Sequence, residues 1–385
     1  MAQNQTKIIL ETLFMALILV GIVFLIFFNF NTDKGKNLIN KNYDSVVKYD
    51  SAIIKEELED IFNNKDALYS YVKKFGPKKT IKHLNELSAK FGTCHSSAHQ
   101  AGRYAYEIYN EKSFKLCSSE CHSGCYHGAA EAYFRDHGTA DLSKNLNLLC
   151  SSELNAFFTH QCIHGIGHGL MAWTNYDLPE ALKTCELLEK GLDSCWTGVF
   201  MENIVGGLAK SDIDKGGDVD HFTKYLSDDP LYPCNVVEDK YKWSCYFLQT
   251  SRMAQLFSGD FKKIAEGCLK AEKPYQQSCF DSMGRDVGGF NLQNPQKAIA
   301  ECSNAPKGPY RLGCLMGAVQ DSMWDPTGQD DALTFCRLLT DKEEKNVCYN
   351  TIFSRSKEIF TSVEDLKNFC SKAESQYQNS CPTAL

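Results

Sequence analysis

No cysteine precedes position 94 in this chain of 385 residues, and none of the 18 that follow stands in a C-x-x-C pair. The missing pair removes the spacing on which thiolate zinc knuckles and dithiol redox motifs depend. The serine elbow, the phosphate-binding P-loop, the dinucleotide G-x-G-x-x-G and the zincin H-E-x-x-H are also absent, which takes away the usual signatures of several large enzyme classes. Basic charge is scarce too. Forty-one Lys and Arg face 48 Asp and Glu, for a net charge of −7, and no stretch gathers the positive residues. A nucleic-acid partner is therefore excluded as an expectation. The length suits one large domain or two ordinary ones.

One segment lacks charge altogether. Residues 12–30, "TLFMALILVGIVFLIFFNF", are 19 long, enough to cross a hydrocarbon core as a helix. Glu11 stands at the edge, and no small-residue cleavage site follows. The segment therefore reads as an uncleaved signal anchor rather than a removable leader. Lys7 precedes it and Lys34 and Lys36 follow, so flanking charge does not orient it. The cysteines do. An even number at regular spacing behind an anchor points to disulfides in an oxidising space. The N-terminus is then cytoplasmic, and the rest lies at a cell surface, in a periplasm or in a lumen.

The cysteines pair by spacing: 150/162, 185/195, 234/245, 268/279, 302/314, 336/348 and 370/381. First members of the last five pairs are each 34 apart, and 117, 150 and 185 follow at 33 and 35. The step of 49 from 185 to 234 marks an insertion near 206–232, rich in Gly and Asp as a loop would be. Within one unit, "NPQKAIAECSNAPKGPYRLGCLMGAVQDSMW", a helical run ends near Cys302. Proline and glycine break it, and a second run carries Cys314. A bridge between the two would staple each hairpin at its turn. Neither helix can bury its apolar stripe alone, so the units must stack. Aligning "KLCSSECHSGCYHG" with "LLCSSELNAFFTHQCIHG" pairs Cys117 with Cys125 as it pairs Cys150 with Cys162. Cys94 and Cys121 are left for each other.

Over roughly residues 115–385, this period and cysteine placement resemble those of TPR and cysteine-rich Sel1-like repeat proteins. The tryptophan-to-proline signature of TPR units and the small-residue pattern of Sel1 units are not present. The resemblance implies a stack of helix pairs with a concave face for a protein or peptide partner. The expected fold is thus all-α: an α-solenoid of disulfide-stapled hairpins behind a transmembrane helix. Residues 1–36 form the anchor and 37–92 a helical stem. Residues 93–173 form His-rich repeats, and 174–385 form stapled repeats. In the stem, "KEELEDIFNN" and "TIKHLNELSAKF" read as amphipathic helices, with Gly92 as the stop.

Eight of the ten histidines fall between 95 and 168. Aligned on the second cysteine of each unit, the residues two and six further on are His127 and Glu131, then His164 and His168, in the first two units. His95 and His99 make a third such pair on the preceding helix. Residues four apart share a helix face, and packed helices lie about 8–10 Å apart. Three successive helices would therefore aim five imidazoles and one carboxylate at a common space. Nitrogen and oxygen donors suit a transition-metal ion such as zinc, copper or iron. His122 and His160 stand near enough to support the ligands, and Glu131 is a candidate general base. Haem is less expected, since "CSSECH" has one residue too many between its cysteines for C-x-x-C-H. The glycines of "HGIGHG" would let another backbone approach.

Singly, each histidine reads as an interhelix hydrogen-bond partner or an exposed group. His137 and His221 read as loop residues and His83 as a surface residue. Glu202, Asp286 and Asp321, each seven residues beyond a cysteine, would line a groove if they share a face. Taken one by one they read as solvated or as caps of neighbouring helices. The expected activity is metal-dependent hydrolysis or oxidation. A binding scaffold with structural histidines and a metal capture or delivery protein are the alternatives.

Overall fold

A computed structural model describes residues 61–384, apart from 63, 92–93, 151–154, 213–222, 292–293 and 325. The uncharged segment 12–30 and the first half of the expected stem lie outside these residues. Among those described, no helix is long and apolar enough to cross a membrane, and no strand is present. Residues 61–385 form one compact unit.

Two helices open it, α1 (Lys65–Phe75) and α2 (Pro77–Phe91). Asn64 caps the first through hydrogen bonds from the amides of Asp66 and Ala67, satisfying donors that a helix start leaves free. Next come α3 (His95–Tyr109), α4 (Lys112–Leu116), α5 (Gly124–His137) and α6 (Leu142–Leu149). They are followed by α7 (Ala156–Trp173), α8 (Leu178–Cys185) and α9 (Leu192–Asp212). The second half holds α10 (Asp239–Leu256), α11 (Phe261–Lys270), α12 (Gln276–Phe290) and α13 (Pro295–Glu301). It ends with α14 (Pro309–Ser322), α15 (Gln329–Leu338), α16 (Lys342–Ile359), α17 (Val363–Ser371) and α18 (Ser375–Gln378).

Long and short helices alternate because the sequence treats them differently. The short ones carry a single apolar stripe: α11 buries Phe261, Ile264, Ala265 and Cys268 and leaves its lysines outside. Asp177, Asp260, Asn294 and Ser362 cap the starts of α8, α11, α13 and α17, one capping side chain for each of these four short helices. The long helices are buried on more than one side. In α7 every residue from Gln161 to Met171 is buried. That is the signature of a helix with neighbours on most of its faces.

The long helices pack in chain order: α3 on α5, α5 on α7, then α9, α10, α12, α14 and α16. Neighbour-on-neighbour stacking is what the 34-residue period demands, but the row does not stay open. The last long helix, α16, returns to α7. Asn155 donates to the carbonyl of Glu358 at 2.5 Å, and the Arg355 guanidinium lies 4.3 Å from the Phe157 ring centroid. Trp324 packs on Phe157 at 5.6 Å and donates to the Ser119 carbonyl at 2.9 Å. Six long helices, α7, α9, α10, α12, α14 and α16, thus close a ring. The expected concave groove becomes a half-open chamber of about 540 Å³.

Nine disulfides hold this arrangement, and no cysteine is free. They join Cys94–Cys121, Cys117–Cys125, Cys150–Cys162, Cys185–Cys195, Cys234–Cys245, Cys268–Cys279, Cys302–Cys314, Cys336–Cys348 and Cys370–Cys381. Eight of them join cysteines grouped by spacing and alignment in the sequence, and Cys94–Cys121 joins the two left over. Each closes a small loop, and in the chain-entropy picture a bridge of this span contributes about 3 kcal/mol. The inserted stretch differs from expectation at its start: 206–212 remain helical as the end of α9. His137 ends α5 rather than lying in a loop, stacked 4.9 Å from Tyr133. His83 sits half-buried on α2, hydrogen-bonded to Tyr71. His221 lies outside the described residues.

Candidate metal centre

The histidine pairs lie on α3 and α7, with His127 on α5 between them. What lets them meet is the closeness of the three helices. A methyl carbon on Gly128 would stand 1.8 Å from the His99 carbonyl oxygen. One on Gly198 of α9 would stand 1.9 Å from that of His164. Only glycine permits such backbone-to-backbone approach. Two groups of three histidines result, each with donor nitrogens within 4.8 Å of one another: His95, His99 and His127, and His127, His164 and His168. Either group can hold a metal ion, and His127 belongs to both. His95 is partly exposed and the other four are buried.

The ring orientations follow from partners across the helices. Nδ1 of His99 donates to Glu131 Oε1 at 2.9 Å. Nδ1 of His168 donates to Glu202 Oε2 at 2.6 Å. Nδ1 of His95 donates to the Cys121 carbonyl at 3.0 Å. Thr197 gives its own proton to the Ser194 carbonyl, so its oxygen accepts from Nδ1 of His164 at 3.1 Å. In all four rings Nδ1 faces an acceptor; in the neutral ring this places the proton on Nδ1 and leaves the lone pair on Nε2. Yet Nε2 of His95 lies 3.2 Å from Nε2 of His99, and Nε2 of His164 lies 3.2 Å from Nε2 of His168. Two lone pairs cannot bond to each other. A cation between them, a proton or a metal ion, resolves the confrontation. Tetrahedral coordination at usual zinc–imidazole bond lengths separates ligand nitrogens by about 3.3 Å, close to these spacings. Nδ1 of His127 lies 3.0 Å from Nε2 of His99. Its ring stacks on His168 at 3.8 Å, and its Nε2 is buried without a hydrogen-bond partner.

Electrostatics favour the neutral, ligating form. Burial above all, then neighbouring imidazoles, pushes His95, His127 and His164 well below the usual imidazole range. Burial would raise Glu131. His99 and Arg103 outweigh it, through the hydrogen bonds of both and the Arg103 charge, and hold this carboxyl well below the usual carboxylate range. Glu131 does not converge with the donor nitrogens: Oε1 is on His99, and Oε2 takes the Arg103 Nε–H at 2.6 Å. Its place is behind a ligand.

The loop before α5 is built for this geometry. Cys121, His122 and Ser123 all have left-handed backbone, with φ of 55°, 50° and 60°, at about 1–2 kcal/mol per residue. The turn presents the Cys121 carbonyl to His95, and the Cys94–Cys121 bridge clamps it there. His122 is exposed, its ring 6.5 Å from His95 and 5.7 Å from Trp324. His160 is also exposed, its Nδ1 bonded to the Ser194 hydroxyl at 2.7 Å and its ring 6.1 Å from His164. Both line the chamber rather than the cluster.

Sequence reasoning missed the partners. Glu202, expected to be solvated or capping, is 3% exposed and also accepts from the Tyr176 hydroxyl at 3.2 Å. A signal was present: Glu202 follows His168 by 34 residues, one period, and Glu131 follows His99 by 32. Asp286 accepts from Thr250, Ser251 and Arg285. Asp321 is buried at the chamber wall. Compared with protein-family models, curated proteins and solved structures, the chain matches none.

Proposed function

We propose that this chain is a membrane-anchored, extracytoplasmic metalloenzyme whose metal is held by His95, His99, His127, His164 and His168. The observation that carries the reading is the pair of Nε2-to-Nε2 contacts, each between rings whose Nδ1 atoms are turned to acceptors on the far side. Glu131, Glu202, Thr197 and the Cys121 carbonyl orient the ligands from behind. Such partners also raise ligand basicity. In this reading Glu131 is a positioning group rather than a general base, because both of its oxygens are engaged.

With every cysteine in a disulfide, the donors are nitrogen throughout, which suits zinc, copper or iron. A bound ion would supply Lewis acidity, or electron exchange if it is copper or iron. His164 and Thr197 form part of the chamber wall, so a small molecule there would reach the edge of the cluster. A chamber of about 540 Å³ is of small-molecule size, which favours such a substrate over a folded protein on the inner face. Burial of four ligands favours a resident ion over one captured and released. The nine disulfides support an oxidising compartment, and segment 12–30 would tether the chain to its membrane with the N-terminus cytoplasmic.

Elemental analysis of oxidised, tag-free full-length protein tests this. Stoichiometric zinc, copper or iron is expected, lost in a His99→Ala/His168→Ala variant that keeps its helical circular dichroism. Wild-type protein that is metal-free as isolated and cannot be loaded would overturn it.

A further inference from the structure

The chamber has an apolar side and a polar side. Phe157, Met201, Phe247, Leu312, Met316 and Trp324 provide the apolar surface. Against it stand two guanidinium groups, Arg285 of α12 and Arg355 of α16, and the carboxyl of Asp321 on α14. A volume of about 540 Å³ falls within the range of small-molecule pockets, roughly 300–1,000 Å³.

An arginine carries five N–H donors. Arg285 uses Nη2 alone, toward Ser251 at 2.6 Å and Asp286 at 3.1 Å. Its Nη1 is buried with no hydrogen-bond partner. Arg355 uses Nη1 toward Glu358 at 3.0 Å, and its Nε is buried with none. Both side chains keep part of their surface open, 18% and 13%. The Phe157 ring supports the Arg355 guanidinium at 4.3 Å, which fixes it at the ring closure. Each arginine is thus held in place by one carboxylate yet has donors to spare. Asp321 is 9% exposed, with Oδ2 unpartnered. Burial pushes its carboxyl up, while the charges of His122, Arg285 and Arg355 pull it down. Arg285 is also close enough to His164 to act on it electrostatically.

We infer that the chamber binds a small organic monocarboxylate, its head on Arg285 and Arg355 and its apolar body against Phe157, Phe247, Met316 and Trp324. Guanidinium forks match carboxylates in plane and charge. A phosphate is disfavoured, because Asp281 and Asp321 line the same space and Asp286 and Glu358 already offset the two arginines. The inference adds a substrate class to the function proposed above. It rests on that reading only in taking the chamber as the substrate's room.

The test is calorimetric titration of the full-length protein, as isolated and after removal of metal by a chelator. The probes are 3-phenylpropionate, 3-phenylpropanol with the same body and no charge, and 2-phenylethylphosphonate. The expected result is that the carboxylate binds both protein forms at least about tenfold tighter than the alcohol, a difference of about 1.4 kcal/mol, and tighter than the phosphonate. Arg285→Gln and Arg355→Gln should each weaken the carboxylate about tenfold and leave the alcohol unchanged. Equal binding of acid and alcohol to the wild-type protein, or none of either, overturns the inference without need of a variant. So does acid binding that both variants retain. Acid binding in the metal-free form supports the pocket even if the metal reading fails. A metal-loaded protein that ignores the acid refutes the pocket and leaves the metal centre standing.

Discussion

Glu131 and Glu202 do the same work at two places: each accepts the Nδ1 proton of the second histidine of an i, i+4 pair on the preceding long helix, α3 for Glu131 and α7 for Glu202. Replacing either with glutamine keeps the shape and removes the charge that fixes the ring. Metal affinity should fall about 10–100-fold in each variant, measured by competition with a chromogenic chelator. Unchanged affinity in both would mean that the carboxylates do not orient ligands. Acid should act on the same rings. His95, His127 and His164 are depressed in the folded chain, whereas the unfolded chain takes up protons near the ordinary value of about 6.5. Their contribution to stability is therefore complete above that value and is lost as the pH falls from there toward the lowered folded values. Metal leaves in the same window, since ligation needs the neutral ring. Melting temperatures should drop from roughly pH 7.5 to 5, more steeply for the metal-loaded protein; a flat profile would contradict it. At this scale the sequence was legible in one respect. The gathering of five histidines follows from spacing of four and from register within the repeat. Glu202 was not legible as a partner, because which side chain of a neighbouring helix faces a ring depends on how closely and at what rotation the helices pack.

Glycine decides that packing. With Gly128→Ala, a methyl carbon would press on the His99 carbonyl from 1.8 Å, and α5 would have to move off α3. The expected cost is about 1–3 kcal/mol of stability, as for other overpacked sites. Metal should be lost with it, because His127 would be drawn away from His99. Urea unfolding and metal analysis of the same preparation would check both, and a variant of full stability and metal content would show that the contact yields cheaply. The elements themselves were largely readable. The period located the hairpins, and Asp260, Asn294 and Ser362 sit where helix starts need them. Where the inserted stretch begins was not readable: "GGLAKSD" has the composition of a loop, but it continues a helix that is already packed.

The ring could not be seen in the sequence at all. A period of 34 requires neighbours to stack, but the turn per unit comes from small rotations at each interface, and their sum decides whether the ends meet. Here they meet at Trp324, Phe157 and Arg355. Trp324→Ala removes the indole from Phe157 and His122 and its bond to Ser119. A loss of about 2–3 kcal/mol is expected for a large side chain in a partly open site. Faster amide exchange should be confined to α7 and α16. Uniform exchange across the ring would show that closure is held elsewhere.

The disulfides carry a consequence for how such a molecule is made. Eight of the nine join cysteines 8 to 12 residues apart, and the ninth spans 27. If the part of the chain behind segment 12–30 enters an oxidising compartment in sequence order, each later hairpin can seal itself before the next pair of thiols arrives. Scrambling is then confined to the four thiols crowded between 94 and 125, so the first repeat is where an isomerase would be needed and where folding would stall without one.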